Sequence, residues 1–102
     1  MSYEEVLEKY HFKLQNGGRA TGRFVPQIVP STEQKRLVKE LTHLAHTLAK
    51  RVNRCSEKDL DTLVMPHPLL GKLTLREMLY FTIYHVEHHR LQMEKQVLDY
   101  MI

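Results

Sequence analysis

Cysteine occurs once in these 102 residues, at Cys55, so no intramolecular disulfide can form and the chain suits a reducing, cytoplasmic compartment. No run approaches the roughly 18 consecutive apolar residues that a membrane span needs. The opening Met1-Ser2-Tyr3-Glu4-Glu5 has neither the basic flank nor the apolar core of a secretory signal. The net charge of +3 is small, and no strongly basic face or reading motif accompanies it. A nucleic-acid role would rest on a pI near 9.1 and seven histidines alone, and any such binding would have to fall steeply with salt. What remains, with 42% hydrophobic and 26% charged residues, is one ordinary globular domain over 1–102.

Glycine and proline are sparse, and they fall into two clusters that punctuate the chain. Before the first, Ser2 and Glu5 have the spacing of a capping box, and Val6, Leu7 and Tyr10 give a short helix one apolar side. Residues 11–30 read as an extended connection: Asn16-Gly17-Gly18 marks a turn, and Pro26 and Pro30 bracket Phe24, Val25, Ile28 and Val29. Lys9, Lys13, Arg19 and Arg23 lie in and before it with no acidic residue between Lys9 and Arg23, as in a solvated loop or a strip that meets a substrate anion.

A long helix is predicted over 31–54. Ser31 and Gln34 are spaced as a second capping box, and Leu37, Val38, Leu41, Leu44, Ala45, Leu48, Ala49 and Val52 recur on one face. His43 and His46 lie far round that helix and are expected in solvent. Leu60, Leu63 and Val64 suggest a short turn packing down, with Cys55 before it in no assigned role. The second breaker cluster, Met65-Pro66-His67-Pro68-Leu69-Leu70-Gly71-Lys72, forbids a continuing helix. Thr74 and Glu77 then form a third capping box, with Leu73 as staple, and no breaker interrupts a helix over 74–100, about 40 Å long at 1.5 Å per residue.

That last helix is apolar on two sides. One stripe is Leu75, Leu79, Thr82, Val86, Met93, Val97 and Tyr100; a second, Tyr80, Tyr84, Leu91 and Leu98, lies about 140–180° away. Met78, Phe81, His85 and Gln92 run along the border. Two long helices and a short one enclose little core, so an all-α helical hairpin is expected to complete a four-helix bundle as a homodimer.

The same helix carries Tyr84-His85-Val86-Glu87-His88-His89-Arg90-Leu91-Gln92. Residues four apart on a helix share a face, so His85 and His89 can aim at one point, as ligands to zinc or nickel require. Gln92 follows on that stripe. Glu87 lies roughly 160° away from His85 around the helix and is not cast as a base.

His67-Pro68-Leu69-Leu70-Gly71-Lys72-Leu73-Thr74, followed by His85-x-x-His88-His89-Arg90-x-Gln92, resembles the C-terminal half of the DinB-like superfamily. The stretch Lys13–Thr21, with Phe24 and Pro26 beyond it, is similar to the connection before the third helix in one branch. The resemblance implies a four-helix bundle of the YfiT and maleylpyruvate isomerase type, with a metal held by three histidines and thiol-transferase or hydrolase-like chemistry. Two of those histidines match His85 and His89. The third has no counterpart, because the chain is expected to begin after the helix that would carry it. Three arrangements stay open: two subunits join their His85/His89 pairs; His67 or His88 serves as a third ligand; or the pair is a remnant in a non-catalytic dimerisation module.

Overall fold

Helix α1 (Tyr3–Gln15) starts as the capping residues direct, with the Ser2 hydroxyl accepting from the Glu5 amide at 3.2 Å. The computed structural model describes residues 1–101. The connection expected over 11–30 begins only at Asn16, because nothing between His11 and Gln15 breaks a helix and Leu14 adds another turn to the apolar side. The helix ends in a Schellman motif: the Gly18 amide donates to the Lys13 carbonyl at 2.8 Å and the Gly17 amide to Leu14 at 3.3 Å. Gly17 has φ +85°, and a Cβ on Gly18 would sit 2.7 Å from the Lys13 oxygen, so both positions require glycine.

Helix α2 (Gln34–Asn53) is entered through a 3-10 turn over Ser31–Glu33. The Ser31–Gln34 capping box does not form, since the turn places Ser31 outside the α-helical start and leaves Glu33 at the cap without a side-chain bond. Helix α3 (Glu57–Thr62) replaces the expected turn, and its start is a reciprocal capping box between Ser56 and Asp59. The breaker cluster, which stops a helix as expected, lies in a hairpin. Strand β1 (Val64–His67) pairs antiparallel with β2 (Gly71–Thr74), Val64 opposite Thr74 and His67 opposite Gly71. A two-stranded ribbon tolerates Pro66 because both its strands are edges. Helix α4 (Leu75–Met101) follows at once, with Glu77 donating its amide to the Thr74 hydroxyl at 3.1 Å and accepting from the Thr74 amide at 2.8 Å.

The core lies where α1 and the hairpin meet the first half of α4. Val6, Tyr10, Leu70 and Leu73 are buried, flanked by Leu14, Leu69, Met78, Tyr80, Phe81 and Tyr84. The face of α4 that α1 covers is therefore the border and the aromatic stripe. The stripe expected to be the main buried one is half-buried at Leu75 and Leu79 and open beyond them, with Val86 65%, Met93 59% and Val97 58% exposed.

Among the described residues helix α2 touches only the turn that leads into it, so the two long helices do not meet there within the subunit. Its apolar face is uncovered, with Leu41 68% and Leu44 56% exposed. The accessible surface of 8731 Å² compares with about 6,000 Å² for a compact monomer of this mass. The radius of gyration of 15.9 Å exceeds the roughly 13 Å of a compact chain of this length.

With so small a core, single truncations weigh heavily. Leu73→Ala is expected to lower stability by about 2–4 kcal/mol, read as a lower urea midpoint at unchanged slope.

Candidate functional site

The His85 and His89 rings converge. Their Nε2 atoms are 2.9 Å apart and the ring centroids 4.4 Å. His89 Nδ1 lies 3.1 Å from Gln92 Oε1, and since that oxygen only accepts, the His89 proton is on Nδ1 and its Nε2 offers a lone pair. His85 then donates its Nε2–H to His89. For both nitrogens to face one cation, His85 has only to move its proton to Nδ1. His85 also stacks on Phe81, 4.9 Å between centroids at 22°, which fixes its plane.

The other two candidate ligands are placed differently. His88 is half-buried between Tyr84 and His89, with centroids 5.9 and 5.6 Å away, and makes no hydrogen bond with the pair. His67 is 8% exposed and serves the hairpin: its Nδ1 accepts from the Leu69 amide at 3.0 Å and the Leu70 amide at 3.1 Å. Both Nδ1 contacts are donors, so the His67 proton is on Nε2, and neither nitrogen is free to bind a cation. Among the described residues, no group of three or more His, Cys, Asp or Glu side chains could hold a metal ion. The donor set thus fits two positions of a metal, with Gln92 as the orienting partner.

A cleft of about 450 Å³ opens beside the pair, between α1, the hairpin loop and α4, with Leu14, Phe24, Leu69, Met78 and Phe81 among its walls. Arg19, from the basic strip, also lines it, as does Tyr10, which no motif marks as a site residue. Tyr10 reads as a core position, which it is; its place at the cleft follows from the α1–α4 crossing. The strip of four cations is partly consumed by backbone. Lys9 Nζ donates to the Leu70 carbonyl at 3.1 Å, and Arg19 Nη1 to the Gly18 and Leu14 carbonyls at 2.6 and 3.2 Å. Arg23 lies over the Phe24 ring. Glu87 points to solvent, held ionised by Arg90 at 2.6 Å, which agrees with its exclusion as a base.

Burial holds the His67 imidazole below its ordinary pKa, and His85 adds to the effect. Burial does the same for His85, assisted by His89 and His88. Between these lowered native values and the ordinary imidazole value of about 6.5, the unfolded chain binds protons that the folded chain refuses. The associated stability is complete above about 6.5 and is lost as pH falls through the native values. His67→Asn, which can still accept the loop amides but does not titrate, is expected to flatten the fall of the urea midpoint between about pH 7 and 5. An unchanged slope would show that His67 takes up its proton equally well in both states.

No curated protein and no solved structure matches the chain. The family model of the DinB superfamily matches residues 6–93, from the first buried residue of α1 past the whole histidine stretch of α4. With that span covering most of its length, the chain belongs to the DinB superfamily.

Proposed function

We propose that this chain is a metal-binding DinB-superfamily subunit that works as a homodimer in the cytoplasm, with His85 and His89 as ligands to a divalent transition ion such as zinc or nickel. The observation that carries the reading is the 2.9 Å approach of the two Nε2 atoms with Gln92 setting the His89 tautomer. Both nitrogens can reach one ion at the ~2.0–2.1 Å typical of imidazole ligands. An ion bound there would lower the pKa of a coordinated water or thiol, the chemistry of a thiol transferase or hydrolase. The chain's own residues do the rest: Gln92 orients His89, Phe81 holds the His85 plane, and the apolar cleft walls limit water beside the pair.

Dimerisation is supported by the uncovered faces of α2 and α4 and by a surface roughly 2,700 Å² above that of a compact monomer. Over two subunits the excess is about 5,400 Å², enough to supply the roughly 2,000–5,000 Å² of total surface buried in obligate homodimers. A non-catalytic dimerisation module is the second reading, favoured by the same faces and by the absence of a third ligand among the described residues.

Untagged protein is expected to carry metal in elemental analysis and to have a dimer's mass by light scattering. His89→Ala should abolish the metal and leave the dimer, and Gln92→Leu should weaken binding about 10–100-fold. Leu41→Glu with Leu44→Glu should yield monomers. A dimer without metal would select the non-catalytic module; a stable monomer would remove the dimer.

A further inference from the structure

We infer that the cleft between α1, the hairpin loop and α4 binds a small organic monoacid, an apolar or aromatic body bearing one carboxylate. The inference deepens the proposed function by naming the ligand class at the same site, and its chemical significance rests on that reading.

Two polar side chains are buried against the cleft with nothing to bond. Tyr10 is 6% exposed and His67 8%, and both line the cleft. The Tyr10 hydroxyl and the His67 Nε2–H have no hydrogen-bond partner among the described residues. Among the described residues no polar side-chain atom sealed from solvent lacks a partner, so these two groups are open to solvent and available to a ligand. With His67 Nδ1 occupied by the Leu69 and Leu70 amides, its free edge can only donate. Arg19 lines the same space, held by Nη1 on the end of α1, with its remaining N–H groups uncommitted and no acceptor capacity.

Three residues able to donate, Tyr10, His67 and Arg19, line a space whose lining contains no aspartate or glutamate. The complementary group is an anionic acceptor, and a carboxylate presents two oxygens to such donors in charge-assisted bonds. Charge limits the choice further. Arg19 is the one lining residue with a permanent charge, Lys9 being absent from the lining and bonded to the Leu70 carbonyl. One positive charge suits a monoanion and not a phosphate dianion. The walls of Leu14, Phe24, Leu69, Met78 and Phe81 suit an apolar body, and a volume of about 450 Å³ falls in the range of small-molecule sites. The His85/His89 pair stands at the edge of this space, where it would face the ligand.

The test uses the full chain stripped of metal with EDTA, titrated calorimetrically with 3-phenylpropanoate and with its neutral counterpart 3-phenylpropan-1-ol. The acid is expected to bind at least about tenfold more tightly. Arg19→Gln should remove that advantage while leaving the alcohol's affinity unchanged. Tyr10→Phe, which keeps the packed ring, should weaken the acid alone, and circular dichroism confirms that each variant is folded. Equal affinity for acid and alcohol, equal loss of both in Arg19→Gln, or no binding of the acid at millimolar concentration would overturn the proposal. A separate zinc titration keeps the two readings apart: acid binding without zinc binding upholds the cleft and removes the metal, and the converse removes the cleft alone.

Discussion

Tyr10 stands at the crossing of α1 and α4, and most of what this subunit buries is arranged around its ring. Phe81 meets it edge-on at 5.0 Å, and Tyr84, His85 and His88 lie within 6.1–6.4 Å. With only Val6, Leu70 and Leu73 besides it in the closed core among the described residues, few other contacts fix the angle of a 27-residue helix. Edge-to-face packing is directional, so this cluster sets the rotation of α4 about its own axis as well as its position. That rotation decides which histidines face the cleft. Turned by one residue, about 100°, α4 would carry Phe81 and His85 together away from Tyr10 and the cleft. The site is thus a consequence of aromatic packing before it is a matter of ligand chemistry.

The hairpin contributes the second constraint. Its loop is short, and His67 closes it by accepting two amides that would otherwise be unpaired. A side-chain acceptor for loop amides is the usual task of Asn or Asp, and histidine performs it here with a second nitrogen left over. The loop in turn delivers Leu69 and Leu70 to the core and a backbone carbonyl to Lys9. One residue therefore ties the loop to the cleft, which explains why a histidine in a breaker cluster is buried at all.

Several local helix signals were legible in the sequence, although the Ser31–Gln34 box does not form and the Ser56–Asp59 box was not foreseen. Ser2 with Glu5 and Thr74 with Glu77 cap their helices as spaced, the uninterrupted run after Thr74 is one helix, and His85 and His89 meet because four residues make one turn. Signals that depend on what lies opposite were not. The stripe of Leu75, Val86, Met93 and Val97 is as periodic as any core face, yet α1 covers the other side, because Tyr10 and Leu14 pair with the aromatic border. Periodicity records that a face needs covering and not which partner covers it. The hairpin was hidden for a different reason: prolines and a glycine exclude helix but leave edge strands open. The role of His67 was beyond any pattern, since it depends on a turn three residues long that brings two amides onto one nitrogen.

The two faces of α4 have unequal tasks, and this connects assembly to the site. Its α1-facing side carries aromatic residues and imidazoles and opens on the cleft, while the opposite stripe carries exposed Val86, Met93 and Val97 with no contact to α2. Helix α2 offers a complementary strip of leucines that the subunit itself does not use. If a second copy covers these faces, the helix holding His85 and His89 is clamped from behind, and its freedom to tilt at the cleft is reduced. Association would then act on the site through rigidity, since the covered stripe and the imidazoles share one rod. The excess surface and the preorganised histidine pair are in this sense two ends of the same problem: a long helix whose second half the subunit leaves exposed.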